Sequence, residues 1–258
     1  MVPSGNRPEV TTHDTRIARA ELLAANHPAA RPLLNFYADL ARFQKPVFAE
    51  LQSKSETDLR ALTCYFPALV KLIERTGTDL LINFAAENLA APEAQLQLLA
   101  TTWEGGEALD PAARFYARVL LQPYAEYLAS RGDINATGAG PTCPFCNARP
   151  VAGVLRVEGD GGKRWLLCSL CSTEWQYRRL LCPGCGEENK DKLPIYTAAE
   201  FPAARVDACD TCHTYLKSID LTKDGHAIPL VDEIATVALN IWAEEHDYVK
   251  LETNLLGM

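Results

Sequence analysis

Residues 143–212 contain four Cys-x-x-Cys pairs, which read Cys143-Pro-Phe-Cys146, Cys168-Ser-Leu-Cys171, Cys182-Pro-Gly-Cys185 and Cys209-Asp-Thr-Cys212. These pairs account for all but one of the 9 cysteines in the 258-residue chain. Two thiols separated by two residues can turn both sulfurs toward one ion, and two such pairs complete a four-sulfur shell around zinc or iron. The stretch therefore predicts two metal sites.

The four pairs form a repeat, which indicates how they share the metals. Both repeat units open with Cys-Pro, and the motif recurs after roughly 40 residues. A cysteine pair at each end of a strand-bearing insert is typical of tandem rubredoxin-like or zinc-ribbon modules. We therefore expect two sets of ligands, Cys143, Cys146, Cys168 and Cys171 for one ion and Cys182, Cys185, Cys209 and Cys212 for the other. In the alternative arrangement the middle two pairs share a metal, and the outer pairs span the whole region.

Structural disulfides are the main alternative chemistry for paired cysteines. They belong to secreted chains, whereas residues 1–20 lack the apolar core of a signal peptide. A single Cys-x-x-Cys could be a thioredoxin-like redox motif, but four regularly repeated pairs favour metal binding. We therefore expect a cytoplasmic protein in a reducing compartment. The remaining cysteine, Cys64, lies in an apolar stretch and is predicted to be a core residue.

The charge balance bears on the class of partner. The chain has a formal net charge of −8, and residues 143–220 carry ten basic and ten acidic side chains before any thiolate is counted. Nucleic-acid binding requires basic patches that neutralise phosphates. We therefore expect no nucleic-acid partner, and a nucleic-acid-binding zinc ribbon is the least favoured class. Membrane insertion is not expected either, because no apolar run approaches the roughly 20 residues that span a bilayer.

The first half of the chain is predicted to be helical. Asp110-Pro111 reads as a helix N-cap followed by proline at the first helical position, and Gly132 ends the apolar pattern that follows. Apolar residues spaced three and four apart predict four further helices, at 33–51, 55–73, 79–89 and shortly after Pro92. These segments indicate an all-helical bundle of about five helices.

Short strands and one further helix are predicted in the second half. A Gly- and Pro-rich linker at 132–141 precedes strand-like segments at 151–157, 164–167, 193–197 and 204–208, the first two joined by a hairpin turn at 158–162. A helix that begins at Pro229 would place Val231, Ile234, Ala238, Ile241 and Trp242 on one apolar face. Its acidic residues, Asp232, Glu233, Glu244 and Glu245, are expected on the solvated face.

The predicted fold class is therefore α+β and multidomain. An N-terminal all-α helical bundle occupies residues 1–135, and two tandem rubredoxin-like or zinc-ribbon metal modules follow at 136–180 and 181–225. A C-terminal helix occupies residues 226–258. Within each module, the residue after a second cysteine usually takes a positive φ, a role that suits Gly186 and Asn147. His213 follows Cys212, but its site already has four sulfurs, so we do not expect it to be a ligand.

The metal region resembles the formate dehydrogenase accessory protein family, FdhE. The resemblance is carried by Cys143-Pro-Phe-Cys-Asn-Ala-Arg-Pro-Val-Ala-Gly-Val154, Leu167-Cys-Ser-Leu-Cys-Ser-Thr-Glu-Trp175 and Cys209-Asp-Thr-Cys-His-Thr-Tyr-Leu-Lys-Ser-Ile-Asp220. It extends through Leu121–Ala129 and Val231–Glu245, and so covers most of the chain from Leu33 onward. Asn147 departs from the family pattern, which more often has glycine there.

The resemblance implies a cytoplasmic maturation factor and not an enzyme. Members of this family are required for active respiratory formate dehydrogenases that are exported by the twin-arginine route. They bind the catalytic subunit of that enzyme and hold iron through their cysteine pairs. Carried over to this sequence, the eight paired cysteines are the metal ligands of two sites. Iron is the expected metal, zinc is the alternative, and the catalytic subunit of formate dehydrogenase is the expected partner.

Two mechanisms remain open for such a factor. A client-binding chaperone needs the metal modules only for their shape, and the sequence contains no zinc-protease or nucleotide-binding motif that would indicate catalysis. The alternative is an iron-dependent redox or sulfur-transfer factor that acts on the same client. Iron held by four thiolates can cycle by one electron, whereas zinc has no redox chemistry.

Overall fold

The N-terminal part of the protein is helical, as the sequence predicts. The computed structural model describes residues 12–54, 58–105, 110–132, 140–158 and 161–258. Six α-helices lie in the described part before residue 133, where about five were expected. They are α1 (His13–Asn26), α2 (Arg31–Ser53), α3 (Phe66–Thr76), α4 (Asp79–Asn88), α5 (Pro92–Trp103) and α6 (Pro111–Arg131).

Helix boundaries follow local capping chemistry. The Asp110 side chain accepts hydrogen bonds from the backbone N–H groups of Ala112 and Ala113, at 2.8 and 3.3 Å, which confirms the predicted start of α6. The single helix predicted over 55–73 is instead a 3-10 helix, Leu59–Tyr65, followed by α3. Ser55, the predicted start, lies outside the described residues, and Asp58 caps the observed segment.

Helix α6 is the centre of the helical domain. Every residue from Phe115 to Tyr127 is buried, so polar side chains are enclosed together with the apolar ones. Enclosed polar groups need partners. Glu126 accepts a hydrogen bond from Arg16 of α1 at 2.7 Å, and Gln44 of α2 donates to the carbonyl of Val119 at 2.9 Å. The buried polar groups of α6 thus connect it to both α1 and α2.

The described residues from 140 onward form a single seven-stranded sheet with two further α-helices. The strands are β1 (Pro150–Glu158), β2 (Gly161–Cys168), β3 (Glu174–Gln176), β4 (Ile195–Thr197), β5 (Ala204–Cys209), β6 (Thr214–Asp220) and β7 (Val249–Lys250). Their order is β3-β2-β1-β6-β5-β4, and β7 pairs with β6. The predicted hairpin is present, since Glu158 of β1 pairs with Gly161 of β2 across residues 159–160, which lie outside the described residues. Together with the helical domain, this sheet confirms the α+β multidomain fold class.

The parallel pair β1 and β6 joins the two metal modules in one sheet. Gly153 lies opposite Ser218 in this pairing. A Cβ atom at position 153 would lie 2.1 Å from Ser218 Oγ, so the close approach of the two strands requires glycine there. The domain boundaries predicted above remain predictions. Strands from both predicted modules nevertheless share backbone hydrogen bonds.

The predicted C-terminal helix is two helices, which corrects the sequence interpretation. Helix α7 (Pro229–Ala235) ends at Thr236, and α8 (Val237–Glu245) follows. Thr236 Oγ1 donates back to the carbonyls of Asp232 and Glu233, and the buried Lys217 ammonium donates to the Thr236 carbonyl at 3.2 Å. A cation at a helix C-terminus satisfies carbonyls that have no partner within the helix, which accounts for the break.

Some predictions of which side chains are buried and which are exposed are also wrong. Asp232 and Glu233 are buried rather than solvated, and only Glu244 and Glu245 of the four acidic residues are exposed. Ile241, expected on the apolar face, is 54% exposed. The predicted core residue Cys64 is exposed. In the described part of the chain, no helix has the length and apolar character to cross a membrane.

Glu233 is the centre of a buried charge cluster that joins β6, α7 and β7. Its carboxylate lies 2.8 Å from Lys217 Nζ, contacts Lys250 Nζ, and accepts a hydrogen bond from Asn254 at 2.7 Å. Burial by itself would raise the pKa of Glu233, but the two ammonium groups outweigh it and lower that pKa to about 2. Glu233 is therefore charged in the folded protein at neutral pH.

We expect Glu233→Gln to destabilise the protein by about 3–5 kcal/mol, because it leaves two ammonium groups buried without a counter-charge. Glu244→Gln on α8 is the matched control and should change the free energy of unfolding by no more than about 0.5 kcal/mol. Urea unfolding measures both. Since the folded pKa lies below the unfolded value of about 4.3, the contribution of Glu233 is complete above that value and is lost as the pH falls toward 2. Equal stability of the two variants would contradict this role.

Candidate metal centres

The eight paired cysteines come together in two groups of four. Cys143, Cys146, Cys168 and Cys171 form the first group, and Cys182, Cys185, Cys209 and Cys212 form the second. Within each group all sulfurs lie within 4.8 Å of one another. This is the grouping expected from the repeat, and the alternative in which the middle pairs share a metal is wrong. Each group could hold one metal ion.

The sulfur separations fit tetrahedral coordination. In the first group the Sγ atoms of Cys143 and Cys171 are 3.5 Å apart, and those of Cys146 and Cys168 are 3.3 Å apart. In the second group the shortest separations are both 3.7 Å. A tetrahedron with metal–sulfur bonds of about 2.3 Å has sulfur–sulfur edges of about 3.8 Å. The donor sets therefore match zinc or iron bound by four thiolates.

Each cysteine pair is followed by a residue with positive φ. These four residues are Asn147 (φ 59°), Ser172 (φ 55°), Gly186 (φ 80°) and His213 (φ 53°). The sequence interpretation had assigned this role to Asn147 and Gly186 only. The backbone N–H groups of Asn147, Gly186 and His213 donate to the carbonyl of the first cysteine of their own pair, at 2.9, 3.0 and 2.8 Å. His213 therefore has a backbone role and is not part of either cysteine group.

Backbone donors also point at the sulfurs. Cys143 Sγ accepts from Phe145 N at 3.4 Å, Cys168 Sγ accepts from Leu170 N at 3.3 Å, and Cys182 Sγ accepts from Gly184 N at 3.3 Å. Such N–H groups favour the thiolate over the thiol, because they stabilise negative charge on sulfur. The same local turn thus recurs at several pairs and prepares the sulfurs to bind a cation.

Four sulfurs this close cannot all be charged unless a cation neutralises them. Burial raises the pKa of Cys168, whereas hydrogen bonds from the other three sulfurs lower the pKa of Cys143. In the second group burial raises the pKa of Cys209 to about 12. Burial also acts to raise the pKa of Cys212. Hydrogen bonds, first among them the one with Thr214, outweigh it and lower that pKa to about 7. Within each group, some sulfurs therefore keep a proton while others are ionised. A divalent ion bound by the four sulfurs would displace those protons.

The two groups differ in exposure. Three cysteines of the first group are buried, and they pack with Trp175, Leu166 and Ala125 of α6. In the second group Cys185 is exposed and Cys212 is half-buried. Solvent can therefore reach the second group directly, whereas the first is enclosed between the sheet and the helical domain.

Helix α6 holds the first group in place through two side chains that the sequence interpretation did not single out. Arg118 donates to the carbonyl of Ser169, inside the Cys168–Cys171 pair, at 3.0 Å. Glu126 accepts from the hydroxyl of Ser172, directly after that pair, at 2.6 Å. Both side chains are more than nine-tenths buried. In the sequence, the one indication of this role is that charged residues occur in a helix whose other residues are mostly apolar.

The architecture and the cysteine groups define a class of protein: a helical domain that carries two zinc-ribbon-like modules, each with a four-cysteine group. Two family models match consecutive segments, "FdhE, central domain" at residues 142–179 and "FdhE, C-terminal domain" at residues 180–256. The crystal structure of the FdhE protein from Pseudomonas aeruginosa superposes with a TM-score of 0.73 over 97% of both chains, at 25% identity. The two family models, which together span residues 142–256, and this superposition over nearly the whole chain support the FdhE family.

Curated relatives agree with this assignment. An FdhE homolog from Aquifex aeolicus is 28% identical in an alignment 265 positions long that covers 93% of this chain and 93% of the homolog. A homolog from Haemophilus ducreyi is also 28% identical and covers 82% of this chain and 69% of its own. A homolog from Pseudomonas aeruginosa is 37% identical over 131 residues, covering 48% of this chain and 42% of its own. The similarity thus extends over the helical domain as well as the metal modules.

The backbone role of His213 makes a testable difference. We expect His213→Gly to keep both metal equivalents and the stability of the wild type, because glycine adopts positive φ without strain. His213→Val should lower the free energy of unfolding by about 1–3 kcal/mol, since a β-branched residue at positive φ is strained. Denaturant unfolding and metal analysis of the purified variants provide the measurements. Loss of one metal equivalent in His213→Gly would show instead that the imidazole is a ligand.

The difference in exposure predicts two phases of metal loss. Incubation of metal-loaded protein with a chelator should release about one equivalent quickly from the second group, and the other only after local opening of the structure. Metal content measured over time by mass spectrometry gives the two rates. Cys185→Ser should abolish the fast phase, and Cys146→Ser should abolish the slow one. Release of both equivalents at a single rate would contradict the assignment.

Proposed function

We propose that this protein is a maturation chaperone for formate dehydrogenase, which binds the catalytic subunit in the cytoplasm before its twin-arginine export. The observation that carries the proposal is similarity to FdhE proteins over nearly the whole chain, together with the presence of all eight cysteines in two four-sulfur groups. We further propose that Cys143, Cys146, Cys168, Cys171, Cys182, Cys185, Cys209 and Cys212 are all metal ligands, with iron as the first candidate and zinc as the second.

The geometry supports a structural use of the metal rather than catalysis. Metal sites closed by four protein ligands leave no open position for a substrate, whereas catalytic sites keep one open. Each group here offers four sulfurs at separations that fit a closed tetrahedron. Iron, when bound, would add the capacity for one-electron transfer. The cysteines themselves hold together the turns that end β2 and β5, and so shape the surface that the modules present.

An iron-dependent redox or sulfur-transfer role on the same client is the second candidate. The exposed Cys185 supports it, because a partner could approach the sulfurs of the second group directly. A colourless zinc-loaded protein that fully restores the client would exclude iron redox chemistry. A measurable reduction potential, with activity lost on exchange of iron for zinc, would favour it.

The chaperone proposal is tested in a strain that lacks this protein. We expect formate dehydrogenase activity to be lost, to return with the wild-type chain, and to remain absent with Cys168→Ser, which removes a buried sulfur. Cys64→Ser is the matched control: Cys64 is exposed and outside both groups, so this variant should restore activity fully. The tagged wild type should also capture the catalytic subunit. Normal formate dehydrogenase activity without the protein would refute the proposal.

A further inference from the structure

Each four-cysteine group has one threonine hydroxyl beside a sulfur. Thr173 Oγ1 lies 3.1 Å from Cys171 Sγ in the first group, and Thr214 Oγ1 lies 3.0 Å from Cys212 Sγ in the second. Both are hydrogen-bonding distances. In the described part of the chain, neither hydroxyl makes a further hydrogen bond. The two contacts therefore use the whole hydrogen-bonding capacity that these side chains show.

The sequence repeats this arrangement. Each threonine stands two positions after the last cysteine of its group, in Cys171-Ser-Thr173 and Cys212-His-Thr214. Two positions after the first pair of each group stand Ala148 and Glu187, which have no hydroxyl. The hydroxyl thus belongs to one defined position of the repeat. Its occurrence at that position in both groups argues against a chance contact.

The backbone holds each threonine across the turn from the first cysteine of its pair. Cys168 N donates to the Thr173 carbonyl at 2.9 Å, and Cys209 pairs with Thr214 between β5 and β6. The neighbouring turn also approaches the second hydroxyl closely, since a Cβ atom at Gly184 would lie 2.8 Å from Thr214 Oγ1. The position of each hydroxyl at its sulfur is therefore fixed by the turns of the metal modules.

A hydroxyl at this position changes the electronic properties of a bound metal. A metal-bound cysteine has no proton on its sulfur, so only the threonine can donate in either contact. Such a hydrogen bond stabilises negative charge on the sulfur and weakens its donation of electron density to the metal. One-electron reduction of iron held by four thiolates makes the centre more negative by one unit of charge. The hydrogen bond therefore stabilises the ferrous form more than the ferric form, which raises the reduction potential.

We propose that the hydroxyls of Thr173 and Thr214 donate to the metal-bound thiolates of Cys171 and Cys212, and so raise the reduction potential of iron at each group. This inference rests on the proposed ligand role of the eight cysteines. The contribution of Thr173 is the larger, because Cys171 is buried and a hydrogen bond is stronger in a low local dielectric. Cys212 is half-buried, so water can partly replace the Thr214 hydroxyl.

The test is a redox titration of the full-length protein reconstituted with iron, with dithionite as the electron donor. Thr173→Val keeps the shape of the side chain but removes the donor. It should lower the equilibrium constant for reduction of one iron by about tenfold, which for one electron is a potential about 59 mV lower. Thr214→Val should lower the equilibrium constant for the other iron by only about threefold, because water compensates in part.

Two kinds of control separate the hydrogen bond from packing. Thr173→Ser and Thr214→Ser keep the hydroxyl, so both should retain the wild-type potentials. Thr142→Val removes a hydroxyl next to the ligand Cys143, but this hydroxyl donates to Asn147 Oδ1 at 2.8 Å and not to a sulfur. It should leave both potentials unchanged.

Cobalt(II) provides a second readout that does not depend on iron. In the cobalt-loaded protein, each valine variant should move part of the sulfur-to-cobalt absorption to longer wavelength. The reason is that a thiolate without the hydrogen bond gives up electron density to the metal more readily. The serine variants should have the wild-type spectrum.

The possible failures are distinguishable. A wild type that binds neither iron nor cobalt would refute the ligand role of the cysteines, and this inference with it. Two bound metal ions with unchanged potentials and spectra in both valine variants would overturn this inference alone. A shift that the serine variants share would mean that the threonine methyl acts through packing, which would overturn it as well. If a valine variant fails to fold, the alanine variant replaces it and is compared with the serine variant.

Discussion

The structure depends on one electrostatic constraint: four sulfur atoms held 3.3–3.7 Å apart cannot all be ionised without a cation among them. Each Cys-x-x-Cys turn is followed by a residue of positive φ, and in three of the turns a backbone N–H group donates to the first sulfur. The strands β2 and β5 both end in a cysteine pair, so the ions would fix where the sheet stops. Local turn chemistry and metal chemistry therefore determine the same feature of the fold.

The two groups are built alike but differ in their surroundings. The first lies against the buried helix α6, which reaches it through Arg118 and Glu126. The second has no such cover over Cys185, which is exposed. The two repeats of the four-cysteine group thus differ: one copy is enclosed and the other is accessible to solvent. The enclosed copy connects the modules to the helical domain, whereas the accessible copy is open to solvent at Cys185.

The sequence predicts what short-range chemistry decides. Cysteine spacing identified both groups, and the Asp110-Pro111 cap identified the start of α6. What it missed depends on contacts between distant residues. Asp232 and Glu233 look like a solvated helix face until Arg19 of α1 and Lys217 of β6 are placed beside them. Lys217 in turn lies in a strand whose central residues are all buried, so β6 shows no alternating pattern from which to predict it.

The same logic explains why the last helix was predicted as a single element. The apolar spacing from Pro229 to Trp242 is continuous, and the break at Thr236 arises from hydrogen bonds made by the buried Lys217 ammonium. Arg118 and Glu126 could be identified as charged residues in an apolar helix. Their partners, Ser169 and Ser172, belong to a different domain and could not be inferred from periodicity.

The parallel pairing of β1 with β6, and the packing of α7 against α1, have a consequence for biosynthesis. Strand β1 leaves the ribosome well before its partner β6. Arg19 of α1 can form its ion pairs only after Asp224 and Asp232 have been synthesised, more than 200 positions later. Contacts of such long sequence separation form late in folding. The helical domain and the first cysteine group can therefore assemble during translation, while the finished molecule exists only after residues 229–258 have emerged. The surface that the metal modules and α7 present together therefore forms only at the end of synthesis.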